Sequence, residues 1–181
     1  MTGQPEIRVL FDEEIIATRV NAIAEEIAKD EPKDLLVVAV LKGSFMFAAD
    51  LARALHTAGM APEMEFLHLS SYGRETVSSG TVTVLRDIES DVTDRDVVLV
   101  DDILESGRTL RFAADMIAKR GARSVRVAAL LDKPEHRKAD ITADYVGFEC
   151  PDKFVVGYGM DMAHAFRQLP FIGYVPQEGD A

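Results

Sequence analysis

A chain of 181 residues that is 48% hydrophobic is long enough to bury a full sheet between helices and too apolar to stay disordered. Its net charge of −11, from 20 basic and 31 acidic residues, argues against gripping long nucleic acid by charge, while leaving room for a small polyanion held by local groups. The chain has no apolar run of membrane-spanning length, no basic-then-apolar leader and a single cysteine, Cys150, which together predict one cytoplasmic domain that stays off membranes. His56, His68, His136 and His164 show no metal-ligand spacing.

Residues 1–10 read as a loose arm or a short edge segment. Asp12 can cap a helix in which Ile15, Ile16, Val20, Ile23, Ala24 and Ile27 form one apolar stripe, closed by Pro32. Residues 35–41 are an uninterrupted apolar run, the pattern of a strand covered on both faces. Lys42-Gly43-Ser44 follows, then a helix with Phe45, Met46, Ala49, Ala52 and Leu55 on or near one face, ended by Gly59 and Pro62. Residues 63–69 alternate as a strand does, residues 70–80 have the Ser/Gly composition of a mobile loop, and 81–85 form a β-branched strand.

Residues 97–100 are a second buried strand, with Asp101 and Asp102 at its carboxyl end. Glu105-Ser106-Gly107-Arg108-Thr109 is a polar turn, and Leu110, Ala113, Ala114 and Ile117 have the spacing of an amphipathic helix that Gly121 ends. Residues 125–131 form a further strand running into Leu131-Asp132-Lys133-Pro134, and 145–148, 154–158 and 171–175 read as three short strands. The alternation predicts an α/β fold: a twisted, mostly parallel sheet flanked by helices, with ligands beyond the carboxyl ends of its strands. The segments after Lys133 are expected to form a smaller subdomain over that edge.

A polar glycine turn between a buried strand and a helix N-terminus is an anion site, because free N–H groups and the helix dipole point at it. The adjoining carboxylates call for hydroxyl donors or a divalent metal. A ribose 5-phosphate meets both demands. Three other tracts are expected at the same rim: Lys42-Gly43-Ser44, Ser70-Ser71-Tyr72-Gly73, which alone is just a loop, and Phe154 to Asp161. Alone, Lys42-Gly43-Ser44 reads equally as a solvated helix start, and Phe154 to Asp161 as core packing followed by one solvated acid.

Residues 98–110 resemble the phosphoribosyl-pyrophosphate (PRPP) signature of the type I phosphoribosyltransferases. Gly43-Ser44-Phe45-Met46-Phe47, Ser70-Ser71-Tyr72-Gly73, Leu130-Leu131-Asp132-Lys133-Pro134 and Phe154-Val155-Val156-Gly157-Tyr158-Gly159 extend the likeness to bacterial hypoxanthine–guanine phosphoribosyltransferases. The resemblance implies purine salvage: a 6-oxopurine, hypoxanthine or guanine, displaces pyrophosphate from PRPP to give the nucleoside monophosphate. It implies that Glu105, Ser106, Gly107, Arg108 and Thr109 hold the 5′-phosphate, and that Asp101 and Asp102 hold the ribose hydroxyls directly or through Mg²⁺. Asp161 would be a further metal-side carboxylate. Lys42, Gly43, Ser71, Tyr72 and Arg167 would bind pyrophosphate; Lys133, Phe154 and Val155 would bind the purine; Glu105 would be the general base at N7. A hood built mainly from C-terminal segments, a lid near 70–80, a cis Leu41–Lys42 peptide and a homodimer or homotetramer are implied in the same way.

The chain departs from the family's usual pattern at two places, with Glu105 in place of Asp and Asp101-Asp102 in place of Glu-Asp. Each swap keeps charge and moves carboxylate oxygens by one methylene. Two other classes share parts of this pattern. A PRPP-sensing regulator that binds nucleic acid is disfavoured by the acidic charge and by Lys133, Phe154 and Asp161. In a phospho-acceptor receiver domain the Lys-Pro pair would not follow Asp101-Asp102 this closely.

Overall fold

The computed structural model describes residues 5–71 and 82–176. Six strands form the main sheet: β2 (Leu36–Leu41), β3 (Glu63–Ser71), β4 (Val82–Arg86), β5 (Asp96–Leu104), β6 (Ser124–Asp132) and β7 (Tyr145–Glu149). Their order is β4-β3-β2-β5-β6-β7, and only β4 runs antiparallel to its neighbour. The two uninterrupted apolar runs, β2 and the first half of β5, lie side by side at the centre, where both faces are covered. Val37, Ala39, Val98 and Val100 face α1 (Glu13–Lys29) and α2 (Phe45–Thr57), whereas Leu36, Val38, Val40, Val97 and Leu99 face α3 (Arg108–Lys119). The chain leaves β2 toward β3 and leaves β5 toward β6, in opposite directions. The gap between the carboxyl ends of β2 and β5 is therefore the switch point where α/β sheets bind ligands.

Helix α1 begins as its sequence predicts. Asp12 is its N-cap, and the Ile15 amide donates to Asp12 Oδ1 at 2.9 Å. Ile16, Val20, Ile23, Ala24 and Ile27 are buried, but Ile15 is 48% exposed because it lies a full residue step around the helix from Ile16. Asp12→Ala should remove the cap and lower unfolding free energy by about 0.5–2 kcal/mol, read by denaturant titration. Catalysis should not change, since α1 contributes nothing to the cleft described below.

The buried face of α2 differs from the one its sequence suggests. Phe47, Ala48, Leu51, Ala54 and Leu55 point inward; Phe45 and Ala49 are exposed. The first turns, Phe-Met-Phe-Ala-Ala, are apolar all round, so periodicity does not choose a face there. Ser44 biases it: its buried hydroxyl donates to the Val40 carbonyl at 2.6 Å and locks the entry to the helix.

A second, antiparallel sheet has the order β1-β9-β8, from β1 (Arg8–Phe11), β8 (Val155–Val156) and β9 (Ile172–Tyr174). The chain beyond Lys133 is thus split between two sheets. Residues 145–149 belong to the main sheet, in parallel register with β6, and Tyr145 is buried there with its hydroxyl donating to Asp30 at 2.6 Å. The small sheet takes its third strand from the N-terminal segment instead. Phe11 stacks on Phe148 with ring centroids 4.2 Å apart, tying the two sheets together. On the outer side of β7, Arg19 of α1 donates to the carbonyls of Val146 (2.6 Å from Nη2) and Gly147 (3.1 Å from Nε).

Candidate active site

A cavity of about 320 Å³ opens at the switch point, lined by Lys42 and Gly43 just after β2, by Asp101 to Gly107, and by Thr109 of α3. Residues that are about sixty positions apart in sequence meet here because β2 and β5 are adjacent and parallel.

The floor is acidic. Asp101 is buried, and its Oδ1 accepts the Asp102 amide at 3.0 Å; Asp102 Oδ1 accepts the Ile103 amide at 2.9 Å. Burial, reinforced by the neighbouring carboxylate, pushes Asp101 well above the usual carboxylate range. Burial also raises Asp102, against the opposing pull of its hydrogen bonds and of the Arg167 charge. Such a pair favours a ligand that brings positive charge or hydroxyl donors.

The wall beside it is a donor array. Gly107 is the N-cap of α3, with φ of 76°, the left-handed conformation that glycine adopts most easily. Among the described residues, the amides of Glu105 to Thr109 find no protein acceptor. They remain free at a helix N-terminus, with the side chains of Ser106 and Thr109 alongside. Arg108 is exposed at the first turn of α3 and does not line the cavity.

Opposite, the Leu41–Lys42 peptide is cis, and Lys42 is exposed at the cavity rim. A Cβ at Gly43 would sit 1.6 Å from Asp102 Oδ2, and one at Gly159 would sit 2.1 Å from the Gly43 carbonyl oxygen. The Asp102 carboxylate, the Gly43 backbone and the Gly159 backbone therefore close up with no room for a methyl group at either glycine. Residues 157–159 make this approach by turning through φ of 95°, 48° and 100°. Arg167 holds the turn: Nη1 donates to the Gly159 carbonyl and Nη2 pairs with Asp161 Oδ1, both at 2.6 Å. Asp161 also accepts the His164 amide at 2.7 Å.

Lys133 lies on the side of Glu105. Lys133 is only 7% exposed; its Nζ donates to the Lys153 carbonyl at 2.7 Å and lies 4.0 Å from Glu105 Oε1. Phe154 follows Lys153 and is 51% exposed, a large apolar ring left at the surface beside a buried cation. Val155 is buried in β8. Ser71 ends β3, while Tyr72 and the expected lid through residue 81 lie outside the described residues.

Among the described residues, no three acidic, His or Cys side chains gather as a metal cage. Asp101 and Asp102 form a pair, and Asp161 is engaged by Arg167. A pair of carboxylates facing open space fits Mg²⁺, which keeps several waters and shares its shell with ligand phosphates.

Fold and cleft together define the class of protein. The sequence model for the phosphoribosyl transferase domain matches residues 8–163. Over 167 residues the chain is 44% identical to the hypoxanthine-guanine phosphoribosyltransferase of Bacillus subtilis (strain 168), covering 92% of this chain and 91% of that protein. It is 42% identical to that of Streptococcus thermophilus (strain CNRZ 1066) over 94% of both chains. The crystal structure of a hypoxanthine phosphoribosyltransferase from Staphylococcus aureus aligns with a TM-score of 0.88 at 40% identity, covering 94% of this chain and 92% of that one. The chain belongs to the hypoxanthine-guanine phosphoribosyltransferase family.

Sequence reasoning missed one residue at this site. Arg137 donates through Nε to the Glu105 carbonyl (2.9 Å), through Nη2 to the Leu104 carbonyl (3.1 Å) and through Nη1 to the Ile141 carbonyl (2.6 Å), and it pairs with Asp132. It sits in the polar run Pro134-Glu135-His136-Arg137-Lys138, where no periodicity distinguishes it from a solvated surface residue.

Proposed function

We propose that this protein salvages purines, transferring the 5-phosphoribosyl group of PRPP to hypoxanthine or guanine with release of pyrophosphate. The observation that carries the reading is the Lys133–Glu105 pair, 4.0 Å apart beside the donor array. N7 and O6 are neighbours on one edge of a 6-oxopurine. An ammonium donor and a carboxylate acceptor side by side suit that edge when N7 carries its proton. The ring itself would lie against Phe154, whose exposed face is available for stacking, and its C2 edge would meet the backbone of Val155.

In this reading the free amides from Glu105 to Thr109 fix the 5′-phosphate, and Asp101 and Asp102 orient the ribose. Lys42, the Gly43 backbone and Arg167 hold pyrophosphate, joined by Ser71 and Tyr72. Anchoring both ends of PRPP leaves C1′ facing the purine, so that attack by N9 becomes effectively intramolecular. Glu105 takes the N7 proton as the N9–C1′ bond forms and the bond to pyrophosphate breaks. Lys133 donates to O6 and would face an opposing amino group in adenine, which selects for oxopurines.

We also propose Mg²⁺ as cofactor, held by Asp101 and Asp102 with Asp161 nearby; when bound, it neutralises charge developing on the departing pyrophosphate. Removing divalent cations by chelation should abolish turnover, and Mg²⁺ should restore it. A homodimer or homotetramer in the cytoplasm completes the proposal. The exposed Phe45, Phe66 and Leu85 are apolar surface that subunit contacts would cover, and sedimentation would count the subunits.

The decisive assay follows PRPP-dependent conversion of hypoxanthine, guanine, xanthine and adenine by absorbance. Hypoxanthine or guanine should be converted and adenine should not. Conversion of adenine alone, or of none of the four, would overturn the reading.

A further inference from the structure

The amides of the turn after β5 point into the cleft only if its carbonyls point away and are satisfied there. In this protein the carbonyls of Glu105 and Ser106 are met by one short segment, residues 137–139, which also shares the Leu104 carbonyl with the Lys133 amide (3.0 Å). Arg137 takes the Leu104 and Glu105 carbonyls at 3.1 and 2.9 Å, and the amides of Lys138 and Ala139 both donate to the Ser106 carbonyl at 3.0 Å. The stem of Arg137 also covers Gly107, since a Cβ there would lie 3.0 Å from Arg137 Cδ and 2.6 Å from Ile141 Cγ2. The guanidinium has all three of its nitrogens engaged, with Ile141 and Asp132 as its other partners. Its side chain is 17% exposed and forms no part of the cavity lining.

We propose that Arg137 is a positioning residue for phosphoribosyl transfer: it acts from behind the turn, holding the Glu105 carbonyl outward, and the Leu104 carbonyl together with the Lys133 amide, so that the amides of 105–109 converge on the 5′-phosphate. A planar guanidinium, with donors on three nitrogens in fixed directions, reaches separated carbonyls at once, whereas the three donors of an ammonium all start from one atom. Through Asp132, the residue before Lys133, the same guanidinium also ties the phosphate turn to the strand end that carries the purine-side lysine. The phosphate end and the base end of the cleft are thereby held in one register. The inference rests on the assignment of residues 105–109 as the phosphate turn.

The test measures binding of ribose 5-phosphate by calorimetry to the full-length protein and to two variants, with thermal melting alongside. Arg137→Ala removes the clamp. Arg137→Gln keeps much of the stem over Gly107 and retains one donor, so it serves if the alanine variant fails to fold. Loss of hydrogen bonds from a charged donor predicts affinity for ribose 5-phosphate weaker by roughly tenfold or more in Arg137→Ala, with Arg137→Gln between it and wild type. Pyrophosphate binding should stay near wild type in both, because Lys42, Gly43 and Arg167 lie on the opposite wall. A purely structural role would lower melting temperature and leave the affinity of the folded variants unchanged, which would overturn the proposal. Equal weakening toward ribose 5-phosphate and pyrophosphate would overturn it as well, by showing a general collapse of the cleft. Failure of the wild-type protein to bind ribose 5-phosphate would instead remove the phosphate-turn assignment, and the role of Arg137 with it.

Discussion

Glu105→Gln should slow the chemical step by roughly 10²–10⁴-fold while leaving PRPP affinity nearly intact. The separation follows from geometry. In the proposed reading the phosphate is met by backbone amides, which do not depend on the side chain at 105. In the same reading the proton from N7 would be met by the Glu105 carboxylate. Among the described residues its charged partner is Lys133 at 4.0 Å. Single-turnover rates are the proper measure, since slow product release would mask part of the loss in steady state. A capping role for Glu105 is set aside by the structure, because Gly107 is the N-cap of α3 and no side chain caps that helix. Glu105→Gln with wild-type single-turnover chemistry would end the general-base assignment. Glu105→Asp keeps the carboxylate on a shorter arm and should retain substantial activity.

Lys133→Met should cost about 1.5–3 kcal/mol of transition-state stabilisation with 6-oxopurines, a fall in kcat/KM of roughly tenfold to 150-fold. Methionine keeps the length and apolar packing of the stem and removes only the donor. Selectivity against adenine should shrink at the same time, because that selectivity depends on a fixed positive donor facing O6. Ribose 5-phosphate binding should change little, since the turn that holds the phosphate does not use the Lys133 side chain. Equal losses toward ribose 5-phosphate and purine would show that Lys133 organises the cleft as a whole instead of reading the base.

The parts of this molecule legible in its sequence are those where one local rule acts alone. The stripe on α1, the doubly buried runs of β2 and β5, and the strand–turn–helix unit around Gly107 each follow from periodicity or turn chemistry within a dozen residues. So did the composition of the cleft: Lys42, Gly43 and the tract from Asp101 to Thr109 converge because parallel strands bring their carboxyl ends to one edge. The buried face of α2 was not legible, because Phe45, Met46 and Phe47 are equally apolar and only the packing against β2 and β5 chooses among them. The assignment of residues 145–149 to a C-terminal subdomain failed for a related reason. Five residues of strand pattern do not say which sheet will accept them, and Tyr145 is drawn to the main sheet by Asp30, which is 115 positions away. The small sheet closes with Arg8–Phe11 from the other end of the chain, a pairing that local pattern does not encode. Arg137 escaped notice because its partners are main-chain carbonyls, which every residue possesses.

The arginine of the first helix that reaches over β7 has a consequence for how these molecules behave when crowded. The rim of an open sheet ordinarily displays unclaimed main-chain acceptors, and another polypeptide in extended form can dock there and start an indefinite stack. At β7 the carbonyls of Val146 and Gly147 are already taken by the guanidinium of Arg19, whose Nη1 is itself neutralised by Glu26 at 2.7 Å. A stranger's amide arriving at this edge would have to displace a charged, forked donor held by its own helix. Arg19 thus blunts the last strand of the six-stranded sheet by occupying main-chain acceptors of β7.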